Sequence, residues 1–341
     1  MINLSYLISL IIINLILTVK ANKISQFLNL YDLPDFKRKI HKQKVSSIGG
    51  FYIFFNIIYL LIFDFFNQDQ LIIFEYFQYE NDNIFFFFIC LSTIFSVGVY
   101  DDKYGVNAST KLTLFALAIL LLTLVDKNLN ISSLRFLINQ TIYDISNFSN
   151  FFTIFCMLVF INAFNMYDGT NLQVTLPSIL IMAFFFYVSN FLDYFSLTIL
   201  ISLLFFSILN FQNKLFLGDN GSLILSFIIS YIIIKFYNQN IIVYTEEVCL
   251  LLLLPIIDLL RLFITRIADG KNPFLPDKNH LHHLLLRRFK YQNTLFILFG
   301  LYLIPVIFGI FTKKYLLFIV FQILIYLIIV IFLKKKFKNV Q

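Results

Sequence analysis

Apolar runs separated by short polar stretches set the pattern of this chain from one end to the other. Runs long enough to cross a hydrocarbon core, about 20 residues each, fall at 3–19, 45–63, 84–100, 112–125, 151–167, 172–189, 194–210, 222–237, 247–267, 293–311 and 315–333. They predict about eleven transmembrane helices; the run at 112–125 is short, and 71–79 is a further spanning or re-entrant candidate. The fold class expected is therefore all-α, a single polytopic membrane domain over residues 1–341. At 60% hydrophobic and 13% charged residues, with a mean hydropathy of +0.84, the chain has too little polar surface to cover a water-soluble globule. The first run has no basic residue before it and no small-residue cleavage pattern after it, so it reads as a retained helix. Cys90, Cys156 and Cys249 each lie inside an apolar run and share no spacing that suggests a zinc site or a disulfide.

Eleven crossings assign every loop to one side or the other, and the charges then test the assignment. Of 26 basic residues, 21 fall on one side, among them Lys20, Lys23, Lys37, Arg38, Lys103, Lys111, Arg261, Arg287, Arg288 and Lys334. Lys127, Arg135, Lys235, Lys313 and Lys314 fall on the other. Positive residues favour the cytoplasmic side, which places the N-terminus out and the C-terminus in. Nine acids share that inner face, so it carries a net positive charge that attracts phosphorylated lipids and nucleotides. No nucleic-acid partner is indicated; the membrane lipids are partners by composition.

The chemistry-bearing residues collect on the same face. All four histidines lie there, with the segments "HKQKVSSIGG" (41–50), "YDDKYGVNASTK" (100–111), "INAFNMYDGTNL" (161–172), "LFLGDNGS" (215–222) and "DKNHLHHLLLRR" (277–288). The cytoplasmic loops 21–44, 101–111, 168–171, 211–221 and 268–292 are expected to form the active face. Asp101–Asp102 reads as a solvated helix end or as a site that handles magnesium and phosphate, since hard divalent ions want carboxylate oxygens. Asp168 and Asp219 favour the second reading, because each stands beside a glycine that allows close approach to a ligand. Asn162 and Asn165, three apart, put amides on one helical face, for a ligand or for a cap. His280, His282 and His283 lack the spacing of a zinc set; with Lys278, Arg287 and Arg288 they read as a basic anion-binding arm. Asp258 and Arg261, three apart in an apolar run, read as an intramembrane ion pair, functional or clamping.

The order and content of these segments resemble the polyprenyl-phosphate N-acetylhexosamine-1-phosphate transferases, over about residues 20 to 290. The "HLHH" loop looks like the GlcNAc-type branch of that family. The resemblance implies transfer of a sugar-1-phosphate from a UDP-N-acetylhexosamine to undecaprenyl phosphate, with release of UMP, as the first step of a cell-surface polysaccharide. It implies a multi-pass protein of the bacterial inner membrane with a cytoplasmic site, Mg²⁺ as cofactor with Mn²⁺ as the alternative, and room for a homodimer. By similarity, Asp219 matches the family's metal-binding aspartate, and Asp101 and Asp102 the aspartate pair beside the metal and lipid phosphate, so Asp219 and Asp102 are the expected metal residues. Asn165 and Asp168 match residues near the nucleotide, with Asn162 a substrate-binding candidate from its spacing, and Phe216 matches an aromatic that stacks on uracil. His280, His282 and His283 match the motif associated with the sugar and pyrophosphate. The first motif departs from the family pattern: Val45, Ser46 and Ser47 stand where prolines are usual, which bears on the role of His41. Asn171 stands where relatives often have an acid, so no metal role passes to it.

Two other readings compete. A polytopic transporter would use Asp258–Arg261 in its pathway and predicts polar residues in mid-membrane and related halves, whereas here the chemistry clusters at one edge and no repeat is visible. A CDP-alcohol phosphatidyltransferase would need a dense DGxxAR aspartate signature, which the chain lacks.

Overall fold

The computed structural model describes residues 4–34, 43–66, 81–189, 193–272 and 278–338. Every one of the eleven apolar runs carries a helix. Among the described residues ten helices are long and apolar enough to cross a membrane. They are α1 (Leu4–Leu28), α2 (Gly49–Phe66), α3 (Asn81–Tyr104), α4 (Ala108–Val125) and α5 (Ser149–Tyr167). Further along the chain are α7 (Tyr194–Phe211), α8 (Gly218–Asn238), α9 (Thr245–Ala268), α11 (Tyr291–Thr312) and α12 (Tyr315–Lys338). The run at 172–189 forms α6 (Thr175–Val188), whose 14 residues rise only about 21 Å at 1.5 Å per residue. A short α10 (Leu281–Leu286) lies between α9 and α11. The candidate at 71–79 lies outside the described residues.

Two small antiparallel ladders lie beside the helices of this all-α bundle. β1 (Tyr31–Asp32) pairs with β2 (Val45–Ser46), and β3 (Ser133–Phe136) pairs with β4 (Thr141–Asp144), Ser133 opposite Asp144. Strands of two and four residues are too short to print a two-residue hydrophobic alternation on the sequence.

α8 is the axis of the bundle. Every residue of its spanning window is buried, as expected of a helix that is apolar all round, and α2, α3, α5 and α6 pack around it. Ser222, Ser226 and Ser230 recur every fourth residue along it; Ser226 and Ser230 return their hydroxyls to carbonyls of their own helix. The outer helices instead turn apolar side chains outward to lipid, such as Ile12, Leu15 and Val19 of α1 and Leu317, Ile328 and Phe332 of α12.

Within lipid, polar side chains fasten helices only where they satisfy each other. Asn14 of α1 and Asn56 of α2 exchange two amide hydrogen bonds of 2.8 and 3.0 Å, and each amide also reaches a carbonyl of its own helix. Pro305 inside α11 has no N–H for the carbonyl of Leu301; Gln322 of α12 supplies one at 2.9 Å.

At the end of the bundle away from the site, the buried carboxylate of Asp126 meets the equally buried Lys235 of α8 at 2.6 Å. The β3–β4 hairpin is tied down beside them. Glu246 of α9 accepts the N–H of Leu137 at 3.0 Å, and the Arg135 guanidinium lies 4.0 Å from the ring centre of Tyr237.

Candidate functional site

A helix begins with N–H groups that have no partner inside it, and α8 has no local residue to cap them, since Leu217 precedes it. The cap comes from another helix. Asp102, near the end of α3, accepts the N–H of Asp219 on Oδ1 at 2.9 Å and that of Asn220 on Oδ2 at 3.0 Å. The Asn220 side chain adds a third N–H to Asp102 Oδ2. A carboxylate at a helix N-terminus also meets the positive end of the helix dipole, so the charge of Asp102 is matched by backbone.

Asp101 points elsewhere. Its Oδ1 accepts the N–H of Val106 at 2.6 Å, inside the turn that Gly105 closes with a φ of +77°. Its Oδ2 is paired with the ammonium of Lys111, which also reaches Asp219 Oδ2 at 3.3 Å. Two adjacent aspartates are therefore separated by direction and by partner, one held by a helix end and the other by a lysine. The Asp219 side chain, in the first turn of α8, remains about one-third exposed.

The turn after α5 supplies the next group. Asn165 accepts a hydrogen bond from Ser222 of α8 at 2.6 Å, which sets the end of α5 against the first turns of α8. Asp168 terminates α5 and stays partly open; burial first, and then the charge of Asp102, pushes its carboxyl up to about 7. Asn162 points along its own helix to the sulfur of Met166 at 3.7 Å, and among the described residues no hydrogen bond carries it to the other site residues. Asn171 is a strut, donating to Asn213 at 2.7 Å, with its carbonyl taken by the hydroxyl of Tyr291.

The histidine loop closes over this turn. A Cβ on Gly169 would lie 2.1 Å from the ring of His282, so only glycine lets the two approach. His282 is buried, with Gln173 at 3.4 Å from its Nδ1. Burial, reinforced by neighbouring His283 and His280, drives its pKa well below the usual histidine range and keeps the ring neutral near pH 7. His280 turns the other way, its Nδ1 3.0 Å from Asp258 Oδ2. Asp258 anchors the loop: it also accepts from Arg261 at 2.8 Å, the hydroxyl of Tyr326 at 2.6 Å and the N–H of Leu281 at 3.3 Å. Arg261 in turn holds the carbonyl of Asn279. The intramembrane pair read from the sequence is thus a closed clamp between α9, α12 and the loop.

Phe216 is half-buried, and its backbone joins the segment before α8 to that before α2: its N–H reaches the carbonyl of Ser46 at 2.7 Å and its carbonyl accepts from Gly49. His41 lies outside the described residues. The structure brings Asp101, Asp102, Asp168, Asp219 and Asn165 together around the start of α8, and sets His282 and His283 over the neighbouring turn. Asp102, expected beside a metal, accepts backbone N–H groups of α8 on both its oxygens, of which Oδ1 keeps a further lone pair. Sequence reasoning passed over Lys111, Asn220 and Gln173. For Lys111 and Asn220 a signal existed, since each stands in a quoted polar segment with an aspartate, 100–111 and 215–222; nothing in the sequence marked Gln173.

Among the described residues no three acidic, histidine or cysteine side chains converge as a metal cage. The arrangement fits a smaller demand. Asp219 and Asp101 already share one cation, the Lys111 ammonium, and Mg²⁺ characteristically takes one or two carboxylates and completes its shell with water and phosphate.

The molecule is thus a polytopic helical membrane protein with a carboxylate, lysine and imidazole site assembled at one end of its bundle, where irregular backbone is shielded by protein. Residues 84–237 match the family described as Glycosyl transferase family 4. The chain is similar to the undecaprenyl-phosphate alpha-N-acetylglucosaminyl 1-phosphate transferase of Thermotoga maritima, 29% identical over 305 residues, covering 89% of this chain and 88% of the relative. The protein of the same name from Salmonella typhi is 24% identical over 302 residues, 83% of this chain and 76% of the relative. That from Escherichia coli K12 is 24% identical over 300 residues, with 82% and 76% covered. The family found by comparison is the one the sequence motifs resemble.

Proposed function

We propose that this chain transfers an N-acetylhexosamine-1-phosphate, with GlcNAc as the sugar, from its UDP conjugate to undecaprenyl phosphate, and so begins a cell-surface polysaccharide. The observation that carries the proposal is the chain Asp101–Lys111–Asp219 at the start of α8, a cation held between two carboxylates where polar segments from the whole sequence meet. The names of the relatives support the same reading over a transporter. The site faces the cytoplasm of a bacterial inner membrane, with the N-terminus out and the C-terminus in, in keeping with the positive charge of the loops on that side.

The chemistry joins two anions. An oxygen of the lipid phosphate attacks the phosphorus that carries the sugar. The new P–O bond forms as the bond from that phosphorus to the bridging oxygen breaks, and the bridging oxygen leaves on UMP. A phosphate monoester with a second pKa of about 6 is mostly dianionic at pH 7, so a strong base is not required. What the protein must supply is alignment and charge neutralisation. Lys111 contributes a positive charge that both carboxylates hold in place, and Asp102 fixes the turn that carries Asp219. Asp168, with its raised pKa, can hold a proton near neutrality, and neutral His282 offers a ring nitrogen for hydrogen bonding. A bound Mg²⁺, held by Asp219 with Asp101 beside it, would offset the charge on the two phosphates.

Purified protein given undecaprenyl phosphate, UDP-GlcNAc and Mg²⁺ should release UMP, and Asp219→Asn should reduce the rate at least 100-fold. Undiminished release by that variant would remove Asp219 from the site. Labelled UDP-GlcNAc without lipid tests the displacement: label bound covalently to protein and chased by lipid phosphate would replace the single step by a two-step route.

A further inference from the structure

We propose that Asn220 is a positioning residue: its side chain locks Asp102 and the loop before α2 onto the first turn of α8, and so fixes the direction of Asp219. The amide is fully buried and uses both ends. Its Oδ1 accepts the N–H of Gly50 at 2.8 Å, and its Nδ2 donates to the carbonyl of Ser47 at 2.6 Å and to Asp102 Oδ2. One side chain of α8 thereby joins that helix to two segments that each lie more than a hundred residues before it, 47–50 and Asp102.

The backbones around it are shaped to admit it. A Cβ on Gly50 would stand 2.2 Å from Asn220 Oδ1, and one on Gly98 would stand 2.6 Å from Asn220 Cα. Glycines on α2 and α3 thus let both helices close on this residue. A side chain that served packing alone would need neither the three bonds nor their direction toward a carboxylate. Asn220 has neither an ionisable group nor an exposed face, so it acts through Asp102 and Asp219 and takes no part in bond making. Displacing a reacting group by about 1 Å can cost 100-fold in rate, and Asp219 is the next residue along the turn that Asn220 fixes.

The kinetic half of the test rests on the proposed phosphosugar transfer. Asn220→Asp keeps the size and the acceptor for Gly50 but loses both donated bonds; Asn220→Ala loses all three, and Asn220→Ser is a milder truncation should either of the others fail to fold. Each folded variant should lose about 10- to 100-fold in kcat for UMP release, with KM for UDP-GlcNAc within about twofold of wild type. Independently of activity, hydrogen exchange of the detergent-solubilised protein should quicken at 47–50 and 218–221 while 226–236 of the same helix keeps its protection. A purely structural role would lower thermal stability and leave kcat and the local exchange pattern untouched, and that result overturns the proposal. If the wild-type chain releases no UMP, the transfer reading fails by itself, and unchanged exchange at 47–50 and 218–221 would then overturn the positioning role.

Discussion

The ammonium of Lys111 lies 3.3 Å from Asp219 Oδ2 and is paired at the same time with Asp101, so one lysine joins two carboxylates that begin 118 residues apart. Lys111→Met keeps the length of the chain and removes the charge, leaving the two carboxylates to repel one another beside the incoming phosphates. UMP release should fall at least 100-fold, while Lys111→Arg, which keeps the charge in a wider head, should retain part of it. Equal rates for Lys111→Met and wild type in the same assay would show the lysine to be a spectator.

Asp258 ties Arg261, His280 and Tyr326 into one buried group, so removing its charge strands Arg261. Breaking a buried pair from one side costs about 3–5 kcal/mol. Asp258→Ala should therefore lower the thermal midpoint steeply in detergent. Tyr326→Phe removes the hydrogen bond donated to Asp258 and the one accepted from Arg261 Nε and should cost at least about 1.5–3 kcal/mol, with the histidine loop kept. Matching midpoints for wild type and Asp258→Ala would contradict the clamp.

Asp126 and Lys235 form a buried pair at the end of the bundle away from the site. Either residue changed alone to alanine should destabilise by about 3–5 kcal/mol, while the Asp126→Leu, Lys235→Met double substitution should recover most of the loss. UMP release per folded molecule should be unchanged in the double variant. A double variant no better than the singles would show that the pair contributes more than mutual neutralisation.

The carbonyl of Leu301, freed by Pro305, is met across a helix boundary by Gln322. Gln322→Leu should cost about 1 kcal/mol. In a Pro305→Ala background, which restores the missing N–H, the same substitution should cost less. Denaturant or thermal titration of the four proteins measures the coupling, and strict additivity would rule out the shared carbonyl.

His282 has a folded pKa well below its unfolded value, so below about pH 6.5 the unfolded chain binds the extra proton and stability falls with falling pH. Asp168 works in the opposite sense: its folded pKa of about 7 lies above the unfolded value, and its contribution is lost as pH rises toward 7. The difference between wild type and His282→Gln isolates the histidine. The thermal midpoint of wild type should fall more between pH 7.5 and 5.5 than that of the variant; parallel falls would mean that His282 is not held neutral by burial.

The sequence by itself determined the spans. Solvation by lipid is a property of each stretch alone, so apolar runs show where helices cross, and the runs at 3–19, 222–237 and 315–333 all appear as helices. It also marked the punctuated segments, because charges and glycines are conspicuous in so oily a chain. Even so, 172–189 became the short α6, and the hairpin at 133–144 left no mark, since few-residue strands carry no usable period. Only the tertiary structure decided partners. That Asp102 caps α8, that Asp101 faces Lys111, that Asp258 holds His280 and that Asn220 bonds Gly50 are facts about pairs of atoms from distant segments. A hydrogen bond depends on distance and angle between two groups, and no single stretch contains both.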